Sequence, residues 1–315
     1  MNYTVYKMNR LDNNCLPTNI DILIFFSTLE ERSWNIIEYL HSKGKLPKQV
    51  LALNLDDGEK SPNFEATYFQ DIEFQISNIG TDLSADLMPC LRNIHSCIKE
   101  RNTIGIDISV MPTPIFMQIL HFLSKRHCDK KIIIYYTEPE HYNLDNLFDF
   151  NALEGEIDIK AISGFEGKTA QKNNLQRMIF YILGFEMNYL NKLIPQQINP
   201  DGIVPINGFP SYFPKYKDIS MINNNVNYNE MDIRMVFSSA NNPFETYNQM
   251  NFLKNQHKDY CIDIIPAGTK PMALGACLFA LKNGNNDIRI LFPFPSAYKN
   301  QHSIGKGTIW EYIID

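Results

Sequence analysis

The chain has 315 residues, 44% of them apolar and 20% charged, with a formal net charge of −6. That length buries a substantial core and allows two domains. An acidic balance with no long Lys/Arg run excludes binding to bulk nucleic acid by charge alone and leaves room for one basic pocket that holds a nucleotide.

The first residues, MNYTVYKMNRLDNN, contain no apolar core of signal-peptide length, and no apolar run is long enough to span a bilayer. A cytoplasmic protein without membrane contact is expected. Cys15, Cys90, Cys97, Cys128, Cys261 and Cys277 form no CxxC pair and read as reduced thiols. His121, His127 and Cys128 are not spaced for zinc, so no metal is expected, and no cofactor either.

The pattern predicts a strand over 20–26, IDILIFF, then a helix to about residue 40. Ser27 or Thr28 can cap that helix, and Glu30 and Glu31 suit its first turn. Further strands are expected over 49–53, 71–76, 103–108 and 131–136, with helices over 84–99 and 115–125. Asp107 lies inside a strand that otherwise reads as buried, and a buried carboxylate needs a partner.

From about residue 144 the texture changes. A strand over 157–162 leads to a glycine-bearing turn, and 169–193 reads as the longest helix. The segment 199–220, NPDGIVPINGFPSYFPKYKDIS, reads as a long ordered loop of low regular structure. A strand over 231–237 and a helix to about 253 follow. Residues 261–281, CIDIIPAGTKPMALGACLFAL, read as a buried strand, a small-residue turn and an amphipathic helix with Pro271 at its first position. The last clear strand is expected over 287–291.

Strands alternating with helices indicate an α/β protein built on Rossmann-like, doubly wound, mostly parallel sheets. The expected lobes are 1–145 and 231–315, with a helical, loop-rich insert over 146–230. Three pieces of the last third repeat three of the first half in order. IDILIFFSTLEERS echoes IRMVFSSANNPFE, IDISVMPTPIFMQILHFL echoes IDIIPAGTKPMALGACLFAL, and KIIIYYTEPEHY echoes DIRILFPFPSAY. A degenerate duplication and one continuous sheet both fit this. Either way polar loops follow the strands, where open α/β sheets bind ligands.

The turn Gly268-Thr269-Lys270 carries the strongest chemical signal. It presents backbone N–H groups and the positive end of a helix dipole, to which Thr269 adds a hydroxyl and Lys270 a full charge. A phosphate or another small anion fits there; the alternative is a tight turn with a solvated lysine. It is not a Walker A loop. Ser27 and Arg32 stand at another helix start, where a guanidinium clamps phosphate. Glu31 and Glu138 are the candidates for acid–base work. Thr137, Ser238, Asn241 and Tyr298 belong to the same rim of strand-end loops. In 209–218, FPSYFPKYKD, Tyr212 or Tyr216 would stack a base while Lys215 meets a phosphate, unless the segment is only a packed connector.

The strand, turn and small-residue helix over 262–281, with Gly268, Thr269, Lys270 and Met272, resembles CARF domains, the Rossmann-like sensors of CRISPR and related antiviral systems. The resemblance implies that Thr269 and Lys270 contact a cyclic oligoadenylate and that the protein works as a homodimer across its ligand. The family often has a second glycine before the turn, where this chain has Ala267. No nuclease, R-x-x-x-x-H or DNA-binding effector segment is evident. Three readings follow: a sensor of a nucleotide-like anion; an enzyme on nucleotides or sugar phosphates, with Lys270 and Arg32 holding phosphate; and a protein-interaction module with no small ligand.

Overall fold

Short β-branched and aromatic runs form the strands, and the stretches between them form helices that cover the sheets. The structure, a computed structural model, describes residues 6–12, 14–56, 71–85, 87–142, 153–167, 176–185, 200–224, 235–283, 287–298 and 303–314, without the side chains of 153–157 and 295–298.

In chain order the elements of the first half are β1 (Tyr6–Leu11), β2 (Ile22–Phe26), α1 (Arg32–Ser42), β3 (Gln49–Leu55), β4 (Glu73–Ile79), α2 (Met88–Ile98), β5 (Thr103–Asp107), α3 (Thr113–Arg126), β6 (Lys131–Thr137) and β7 (His141–Tyr142). The second half holds β8 (Leu153–Ala161), β9 (Arg177–Ile182), β10 (Gly202–Gly208), α4 (Pro214–Asn223), β11 (Val236–Ser238), α5 (Pro243–Gln256), β12 (Cys261–Pro266), α6 (Lys270–Asn283), β13 (Ile288–Tyr298), β14 (Ser303–Ile304) and β15 (Ile309–Ile314).

The chain divides into two compact units, 1–143 with 300–315, and 144–299. The first unit holds a seven-stranded sheet in the order β1-β15-β6-β5-β2-β3-β4. Strands β2 to β6 are parallel, while β15 runs antiparallel to both β6 and β1. The second unit holds a six-stranded sheet, β11-β10-β9-β12-β13-β8. There β9 to β13 are parallel and β8 is antiparallel to β13.

Numbered by appearance of the parallel strands, each sheet has the doubly wound order 3-2-1-4-5, followed by an antiparallel strand beside the fifth. The chain reverses direction across the sheet between β2 and β5 in the first unit, and between β9 and β12 in the second. Two of the three sequence echoes join strands of equal rank, β5 with β12 and β6 with β13. The first echo does not: β2 is a first strand and β11 a third, so the counterpart of β2 is β9.

The expected division of the chain needs correction. Residues 146–230 supply β8, β9 and β10 to the second sheet instead of standing as a helical insert, and β15 returns to the first unit. Within the expected helix over 169–193, residues 177–182 are a strand at the middle of the sheet, apolar and buried from Met178 on because both faces are covered. Residues 168–175 and 186–199 lie outside the described residues. The expected loop over 199–220 is strand β10 and most of helix α4.

Helix α6 is also not amphipathic. Pro271 to Ala280 are all buried, between the sheet and α5. Gly275 lets α5 close on it: a Cβ there would meet the Pro243 carbonyl oxygen at 2.3 Å. The first sheet packs Leu23, Phe25, Val50, Ile133 and Tyr135 against Ile36, Ile37 and Leu40 of α1. In the second, Ile179, Tyr181, Ile203, Ile265 and Leu291 share one core. All six cysteines are free thiols. Among the described residues no helix is long and apolar enough to cross a membrane, and no group of three metal-ligating side chains occurs.

Candidate functional site

Parallel order puts the carboxyl ends of β9 to β12 on one rim of the second sheet. Three loops there are tied to one residue. The Ala240 carbonyl, after β11, accepts the hydroxyl of Thr269, after β12, and that of Tyr212, after β10 (3.1 Å). The Ala240 N–H donates to the Pro210 carbonyl (3.0 Å).

Gly268 and Gly184 bring the loops after β12 and β9 into main-chain contact at the reversal point. A Cβ on Gly184 would meet the Ala267 carbonyl oxygen at 2.1 Å. One on Gly268 would meet Ile182 Cγ2 at 2.5 Å and the Leu183 carbonyl oxygen at 3.0 Å. Only glycine fits either place. Thr269 also accepts from the Met272 N–H (3.4 Å) and so caps α6. Lys270 is the first residue of α6 and half-buried. Among the described residues no hydrogen bond engages the N–H of Gly268 or Thr269.

Ser238 is buried and shares a hydrogen bond with Thr246 (2.8 Å), which holds α5 on the sheet. Asn241 accepts from the Ser239 hydroxyl (2.8 Å). Asn242 caps α5 by accepting from the N–H groups of Phe244 and Glu245. Lys215 is exposed, its Nζ 6.0 Å from the Tyr216 ring. Tyr216 is buried, its ring packed on Phe185 and Phe213. The side chain of Tyr298 lies outside the described residues.

The remaining candidates belong to the first unit. Arg32 is only 7% exposed. Its Nη1 donates to the Thr137 carbonyl (3.2 Å) and its Nη2 to Glu30 Oε2 (2.8 Å). Burial works against its charge, and the Glu30 carboxylate together with Tyr136 and Tyr142 outweighs that and raises its pKa. The Ser303 hydroxyl donates to the same Glu30 oxygen (2.7 Å). Thr137 is buried; its N–H donates to the Ser109 hydroxyl (2.8 Å), which in turn donates to Asp107. Asp107 thus gains the partner its burial requires.

Ser27 is buried, its N–H donating to the Leu53 carbonyl (2.9 Å). It does not cap α1. The helix begins only at Arg32, so the N-cap is Glu31, without a side-chain cap bond, and Ser33 Oγ donates to the Phe26 carbonyl and accepts from the Thr28 N–H. Glu31 is exposed. Glu138 accepts from Trp310 Nε1 (2.7 Å).

The candidates therefore fall into two clusters, one in each unit. Sequence reasoning missed Gly184, whose signal was a lone glycine closing the apolar run MIFYIL. It also missed Asp263, fully buried and bound by both Arg289 (Nε, 2.7 Å) and Arg177 (Nη1, 3.2 Å).

No family model matches the chain. No curated protein sequence matches it either. Among solved structures it is similar to a universal stress protein from Archaeoglobus fulgidus DSM 4304, with 11% identity and a TM-score of 0.25, over 89% of this chain and 97% of that one. It is similar as well to the cytoplasmic domain of a prokaryotic cation chloride cotransporter, with 10% identity and a TM-score of 0.26, over 90% of this chain and 98% of that one. Both likenesses are slight, and the assignment of the chain as an α/β protein with two mostly parallel sheets rests on its own strand order.

Proposed function

We propose that the second unit senses a phosphate-bearing, nucleotide-like small ligand at the rim formed by the loops after β9 to β12. One observation carries this: the Gly268-Thr269-Lys270 turn stands at the carboxyl end of β12, beside β9, where the chain order reverses. Open α/β sheets bind ligands at that position. The N–H groups of Gly268 and Thr269, the α6 dipole and the Lys270 ammonium suit an anion. In this reading the protein is a CARF-like sensor of prokaryotic antiviral defence, cytoplasmic and homodimeric.

Thermal denaturation with inorganic phosphate and a nucleotide panel tests it. A ligand at about 100-fold above its Kd adds about 2.7 kcal/mol of stability. Lys270→Ala should lose at least about tenfold in affinity, or about 1.4 kcal/mol. A shift that Lys270→Ala leaves unchanged removes this turn from the site. Recovery of the nucleotide intact after incubation separates sensing from turnover.

A further inference from the structure

The same rim carries an exposed aromatic pair that an anion alone leaves unused. Phe209 is 53% exposed and Phe237 44%. Their rings meet edge to face with centroids 6.1 Å apart. Phe209 follows β10, and Phe237 lies on the neighbouring strand β11, opposite Asn207. Lys217 Nζ stands 5.8 Å from the centre of the Phe209 ring and also pairs with Asp218 (3.1 Å).

The main chain under Phe209 is fixed on both sides. Its N–H donates to the Ser238 carbonyl (2.7 Å), and the next carbonyl, of Pro210, accepts from Ala240. Ala240 is also the residue that holds Thr269. The exposed ring is therefore anchored through the same residue as the Gly268 turn. The tyrosines singled out for stacking in the sequence are otherwise engaged, Tyr216 in the core and Tyr212 through its hydroxyl.

Two phenylalanine rings left in water forgo the gain of burial. A ring presented on a rigid main chain, with an ammonium beside it, suits a nucleobase. Every base has a π-face, and stacking needs no hydrogen-bond readout. We propose that Phe209, backed by Phe237 and flanked by Lys217, is the stacking platform for the base of the ligand whose phosphate lies at the Gly268–Lys270 turn. This rests on the phosphate reading above and narrows it. The ligand is a nucleotide or short oligonucleotide, and neither a sugar phosphate nor inorganic phosphate.

Calorimetric titration of the full chain with the nucleoside 5′-monophosphates and with ribose 5-phosphate tests this. Phe209→Ala should weaken the nucleotides by about 5- to 150-fold and leave ribose 5-phosphate unchanged. Lys270→Ala should weaken both. In Phe209→Trp the new indole should be quenched by nucleotide and not by ribose 5-phosphate. If Phe209→Ala leaves nucleotide affinity intact while Lys270→Ala lowers it, stacking is overturned and the phosphate reading stands. The reverse pattern overturns the phosphate reading and keeps the platform. Wild-type protein that binds none of these compounds overturns both, and the aromatic pair then belongs to a protein contact.

Discussion

In the first unit the loop between β2 and α1 is closed by side chains. Glu30 receives Arg32 and Ser303 on one oxygen, Arg32 reaches across to the end of β6, and Trp310 holds Glu138. In the second unit the described start of the loop after the equivalent strand, β9, packs on main chain, with the Asn224 and Asn223 side chains donating to the Gly184 and Phe185 carbonyls. Gly184 lies on Ala267 and Gly268 on Leu183. One strand order thus supports two rims of opposite character. The first bears carboxylates at Glu30, Glu31 and Glu138, which repel an anion, and Glu30 already engages its arginine. The second keeps amide N–H groups and Lys270 at its reversal point. Fold alone does not choose between them; the residues at the strand ends do.

The largest expected effect sharpens this contrast from below the rim. Asp263→Ala leaves two guanidiniums without their buried counter-charge and should cost about 3–5 kcal/mol. Both tryptophans, Trp34 and Trp310, lie in the first unit. Circular dichroism should therefore show an earlier transition that tryptophan fluorescence does not follow. Coincident shifts in both signals would mean that the two units unfold together. Next in size, Arg32→Met should cost about 1.5–3 kcal/mol through the lost charged hydrogen bonds. It should leave nucleotide affinity unchanged; loss of affinity would erase the distinction between the rims.

The smallest effect is a pH dependence confined to the first unit. His127 is held below the ordinary histidine pKa by burial, then by His95, whose Nδ1 is 2.9 Å from its Nε2. Lys130 and Arg126 lower it further and Asp129 opposes them. A depressed folded-state pKa makes the stabilisation present above about pH 6.5 and lost as pH falls below that. His127→Gln should flatten the melting temperature against pH in that range. An unchanged slope would assign it to other groups.

Strands β2, β3, β5, β6 and β12 and the position of the Gly268 turn were legible in the sequence because local pattern sets them. Strand β9 was not. After Arg177 the run MIFYI is apolar throughout, and a buried strand has no alternation to tell it from a helix. With β9 misread, Gly184 had no strand end to mark, and the first echo joined the wrong partner. Strands β1 and β15 were missed because they pair with each other across the whole chain, Tyr6 opposite Ile314, which no local window reveals. Ser27 as a cap failed because the helix starts at Arg32, with Glu31 in the cap position four residues past Ser27.

The return of the chain to its first unit has a consequence for biosynthesis. As the polypeptide leaves the ribosome, every strand of the six-stranded sheet emerges before β15 does. The second unit can complete its fold first, while β6 waits with its outer edge unpaired. Until residues 309–314 appear, that bare edge is where a nascent copy is open to pairing with a neighbour on the same message.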